Sequence, residues 1–136
     1  MKNRMFITPI SLLFAMFVAS TVFANTNAQQ EISTAITHAG YAKKMTDVDK
    51  VHLHLHHVIN CLVGSKGVGF DANAGNPCQG MGNGAINDYH ADKLDRDMLK
   101  EALEDAQYGL LTQRLDIARN AADLTIKDLK KSQEDF

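Results

Sequence analysis

Hydrophobic and polar positions divide this chain into an apolar opening, two helical stretches and a polar gap between them. From Glu31 to Val63 there is no proline and a single glycine, Gly40. Tyr41, Met45, Val48, Leu55, Ile59 and Leu62 recur there at the three-and-four spacing of a buried helical stripe. The stretch reads as one long helix, or as two if Thr46 or Asp47 in "MTDVDK" serves as a second N-cap; continuity is the expectation. A second stripe runs through Leu99, Leu103, Ala106, Leu110, Ile117, Ala121 and Leu124 towards Leu129, with Gly109 as a point of bending or breakage. Asn87 or Asp88 is placed to cap it, Asp92, Asp95 and Asp97 suit the positive end of its dipole, and Lys127, Lys130 and Lys131 suit the other end. Strand-type alternation is absent between these stripes, so the class is all-α. Helical regions 31–63 and 88–132 flank a loop, 64–87. Two architectures follow: long uninterrupted helices forming an antiparallel hairpin that dimerises into a four-helix bundle, or four shorter helices forming a monomeric bundle.

The opening differs in kind. Lys2 and Arg4 precede an apolar run from Met5 to Phe23, and small residues lead to Ala24, which is the pattern of a signal peptide spanning residues 1–24. Pro9 and the shortness of the apolar run favour cleavage over retention in a membrane. One helical domain, 25–136, is then expected in the periplasm or secreted, with no membrane association after cleavage. Without Lys2 and Arg4 the remaining 12 basic and 16 acidic residues give a net charge of −4 with neutral histidine. The basic residues are scattered and lack interleaved aromatics, which argues against nucleic acid.

The polar gap is unusual in its own right. Seven of the nine glycines and Pro77 fall between Gly64 and Gly84. A loop of this length in so small a domain calls for a function or an anchor. Cys61 precedes it and Cys78 lies within it. In an oxidising compartment two cysteines pair by default, and a Cys61–Cys78 disulfide closing this loop contributes about 3 kcal/mol in the chain-entropy model. Their spacing matches neither a zinc-finger nor a thioredoxin pattern, and no CxxCH stands for covalent haem.

Candidate chemistry concentrates in "VHLHLHHVINC", where four of six histidines occupy positions 52–57. On a continuous helix His52 and His56 share one face at the edge of the apolar stripe, with His38 further back, whereas His54, His57 and Cys61 take the opposite side. Imidazoles four residues apart converge on a single ion, and His90, Met98 or an aspartate from the next helix would complete the set. Imidazole with carboxylate suits zinc, nickel or cupric copper; imidazole with thioether suits cuprous copper or a haem iron. The expected function is therefore metal sequestration, delivery or sensing through His52, His56 and His90, aided by His54, His57 or Met98. An alternative is a metal-free interaction module presenting the pinned loop through Phe70 and Met81, and a third is haem binding. No catalytic motif is complete: the glycine-rich segments lack the lysine and hydroxyl of a P-loop, "DANAGN" lacks the later calcium ligands, and HExxH is absent. The chain is not expected to be an enzyme.

At "HLHHVINCLVG" followed by "NPCQGMGNGA" the sequence resembles a group of small exported proteobacterial proteins of unestablished activity. That resemblance implies export and helical character and carries no site assignment. "AITHAGYA" is more loosely similar to histidine-rich periplasmic helical metal-binding proteins. The bunching of histidines in one place departs from that style and implies one defined site instead of high-capacity storage.

Overall fold

A computed structural model describes residues 15–134, with side-chain surroundings from Thr26 onward. The expected signal segment, 1–24, lies outside the residues whose side chains are described. Five helices follow in order: α1 (Ala15–Lys44), α2 (Val48–Val63), α3 (Ala85–Asp88), α4 (Lys93–Leu110) and α5 (Leu115–Lys131), with no strand among the described residues. The all-α expectation holds. None of these helices is long and apolar enough to cross a membrane.

Each long helix turns a run of small or branched residues inward at heptad-like spacing. α1 buries Ala28, Ile32, Ala35, Ala39 and Ala42, and α2 buries Val51, Leu55, Val58 and Leu62. α4 contributes Leu99, Ala102 and Ala106, and α5 contributes Ala118, Ala122, Thr125 and Leu129. Successive pairs pack together and α5 returns to α1, which closes an up-and-down four-helix bundle. Nearly half of the buried apolar residues are alanine, so the helices approach closely but each buries little area. Gly109 belongs to this close approach: a Cβ there would stand 2.5 Å from Leu55 Cδ1 and 3.0 Å from Ala121 Cβ.

The long continuous helices allowed by the sequence are replaced by the four-helix alternative. α1 ends at Lys44, Met45 N donates back to Tyr41 O and Ala42 O, and the Asp47 carboxylate accepts from Lys50 N at 3.1 Å to start α2. Arg119 Nε donates to Lys43 O at 2.6 Å, placing a cation on the carbonyl end of α1. The second break falls after Leu110, where Thr112 Oγ1 accepts from Arg114 N, and Gly109 remains helical. Neither Asn87 nor Asp88 caps α4. Asp88 is buried and accepts from Asn83 N and Nδ2, so Asp92 takes the cap, accepting from Leu94 N at 2.6 Å. Tyr41 and Leu124, both assigned to the buried stripes, stand 46% exposed because the folded-back helices meet along the alanine rows.

The glycine-rich loop is covalently and polarly fastened to the bundle. Cys61 and Cys78 form a disulfide with Cα atoms 5.2 Å apart. Gly64 (φ 70°) and Gly84 (φ 101°) cross so closely that a Cβ on either would overlap the other's backbone segment. The Asn60 side chain donates to Asp71 O (2.8 Å) and Gly75 O (2.6 Å) and accepts from Asp71 N (2.8 Å), leaving this buried amide well satisfied.

Candidate metal centre

The hairpin between α1 and α2 decides which histidines meet. Because the chain reverses at Met45–Asp47, residues on α1 face residues on α2 in antiparallel register, and His38 lands between His54 and His57. His38 Nδ1 lies 3.2 Å from His54 Nδ1 and 3.1 Å from His57 Nδ1. One nitrogen from each of the three rings can be chosen so that all lie within 4.8 Å of one another. The three rings are partly buried on the flank of the α1–α2 pair, and Tyr41 walls the group with its ring 5.6 Å from His38 and 5.3 Å from His54.

Hydrogen bonding fixes the outer ring. His57 Nε2 lies 2.7 Å from the Ala74 carbonyl, which only accepts, so Nε2 carries a proton and the neutral ring keeps its Nδ1 lone pair for the cluster. This places a loop carbonyl behind a candidate ligand, the arrangement that commonly orients metal-bound imidazoles. His38 Nδ1 then faces two further Nδ1 atoms, and one N–H cannot make a well-directed bond to both. A cation among the three satisfies every lone pair at once. Two donors about 2.0–2.1 Å from a tetrahedral ion stand about 3.3 Å apart, close to the spacings found here.

The surroundings favour the neutral form of His38 and His54. Burial, followed by the His57 and His54 rings, pushes His38 down from 6.5 to about 4, and burial followed by His57 lowers His54. Unprotonated nitrogens are what metal ligation requires. The cluster could hold a metal ion.

The residues first expected to form the site are dispersed. His52 Nε2 meets Thr112 O at 2.9 Å, and His56 Nδ1 lies 3.6 Å from Asp71 Oδ2 under the loop. His90 is exposed beyond α3, whose Asn87 side chain reaches Val63 O, about 16 Å along α2 from His52. The reason is register. In an antiparallel pair the start of α4 opposes the end of α2, so His52 faces the C-terminal end of α4 and neither His90 nor the early aspartates. Met98 is in the core, 8% exposed. Of the loop residues assigned to a partner, Phe70 and Met81 are partly buried against the core, and the loop's fully exposed apolar side chain is Val68.

The sequence pattern nominates His54 and His57 as ligands but not His38, which the fold adds to them. A continuous helix sets His38 about 24 Å from His54. Only the turn at residues 45–47 brings them together, and the Asp47 cap signal was its trace in the sequence. No known protein family, curated protein or solved structure matches the chain.

Proposed function

We propose that this protein binds one transition-metal ion through His38, His54 and His57 and serves in metal sequestration, delivery or sensing. The observation that carries this reading is the convergence of three imidazole nitrogens from two helices at 3.1 and 3.2 Å, with the proton of His57 directed away by Ala74. Three imidazoles without a carboxylate suit copper, zinc or nickel in preference to a hard cation, whose sites are built from oxygen. Three ligands leave a fourth position for water or an exchanging donor, which fits holding and handing on an ion at a partly exposed helix flank. We place no turnover at this site. Export, which would deliver the chain to the periplasm or beyond, belongs to the same reading and rests on the opening segment of the sequence.

A competition titration against a chromophoric chelator tests it. One equivalent of zinc or copper should bind the wild-type chain, His38→Ala should weaken binding by about 100-fold or more, and His52→Ala or His56→Ala should leave it within about threefold. Equal affinity for wild type and His38→Ala rejects the site.

A further inference from the structure

A second feature stands apart from the histidines. Beneath the glycine-rich loop lies a cavity of about 410 Å³, within the range of small-molecule sites. Its walls include Glu31 from α1, Asn60 from α2, and Phe70, Asn76, Gln79 and Gly82 from the loop. No lysine, arginine or histidine is among the described residues that line it.

Glu31 is out of place as a purely structural residue. It is 1% exposed, its Oε1 accepts from Gly84 N at 2.9 Å, and its Oε2 is buried with no hydrogen-bond partner. The neighbouring buried carboxylate belongs to Asp88, and oxygens of both acids crowd the point where a Cβ on Gly82 would stand. Asp88 is already served by Asn83 N and Nδ2. Glu31 therefore retains one unsatisfied oxygen beside a second negative group, and a buried acceptor without a donor is costly. Burial, opposed by the Gly84 amide and reinforced by Asp88, pushes its carboxyl up to about 7. Some group carrying N–H donors and positive charge would relieve both conditions.

We infer that this cavity binds a small primary ammonium compound, its charged head on Glu31 and its carbon chain along Phe70 and the glycine backbone. A hard metal ion fits less well, because calcium calls for six to eight converging oxygens and Glu31 offers one that is unused. An anion has no positive wall to meet. The wall amides Asn76 and Gln79 tolerate a polar or a second amino terminus, the Asn60 amide being held by the loop backbone.

The test is a titration of the full, metal-free chain with n-butylamine and with the diamine putrescine at about pH 8, where Glu31 is charged, followed by backbone amide NMR. Saturable shifts at Gly64, Ser65, Gly82 and Gly84 with the amines, and none with butanoate, are expected. Glu31→Gln, which keeps a carbonyl for the Gly84 amide, should weaken binding by about tenfold or more, whereas His38→Ala should not change it. The wild-type amide map decides the matter even where Glu31→Gln does not fold. No saturable shift up to about 10 mM amine, shifts centred outside the loop, undiminished binding by Glu31→Gln, or calcium reproducing the shifts where the amines do not would each overturn the assignment.

Discussion

At the scale of single residues, His38 and Glu31 titrate in opposite senses. His38 is held near 4, below its ordinary 6.5, so between those values the unfolded chain takes up a proton that the metal-free fold refuses. Its contribution to stability is complete above 6.5 and is lost as pH falls towards 4. Glu31 is held near 7, above its ordinary 4.5, so the fold keeps a proton that the unfolded chain releases; its contribution is complete below 4.5 and is lost as pH rises through 7. Asp105, pushed up to about 6 by burial and by the Asp128 carboxyl, slopes the same way as Glu31, and His54 the same way as His38. Glu31→Gln should make the loss of stability on acidification from 6.5 to 4.5 steeper than in the wild type by about 1–2 kcal/mol, because the variant lacks the opposing Glu31 slope. Urea midpoints across that range check this, and an unchanged slope contradicts it. Neither shift was legible in the sequence. Glu31 looks like an ordinary helix-surface acid until Gly82 and Gly84 fold over it, and His38 is one histidine among alanines until α2 turns back.

At the scale of elements, one residue starts the second arm of the hairpin that carries the histidine cluster, and another sets the close contact of α4 with α2 and α5. Asp47→Ala removes the cap on Lys50 N and should cost about 1 kcal/mol, read as a lower thermal midpoint, with weaker metal binding because α2 begins less firmly. Gly109→Ala drives a methyl against Leu55 and should cost about 1–3 kcal/mol. A neutral outcome for Gly109→Ala would show that α2 and α4 approach less closely than described. The helices themselves were legible as apolar stripes, and Asp47 was visible as a potential cap. What the periodicity could not decide was whether that cap was used, because Tyr41 and Val48 continue the stripe across the break. That one choice moved the candidate site from His52 and His56 to His38, His54 and His57.

At the scale of the whole molecule, an alanine-rich core with modest buried area relies on fastenings beyond apolar packing. The Cys61–Cys78 disulfide closes the loop whose Ala74 carbonyl orients His57, so it links stability to the metal site. Reduction should cost about 3 kcal/mol and also weaken metal binding, whereas a covalent staple remote from the site would change only the former. Denaturation midpoints and chelator competition on reduced and oxidised protein separate the two effects. The pairing of the cysteines was legible from their number and position, but the coupling was not, since it depends on which carbonyl the folded loop sets behind His57. The most direct measurement of the central claim is side-chain nitrogen NMR of the six histidines on addition of one equivalent of zinc. Metal-induced displacement of Nδ1 in His38, His54 and His57, with His52, His56 and His90 unmoved, is the expected result. Displacement centred on His52, His56 or His90, or no displacement at all, would contradict it.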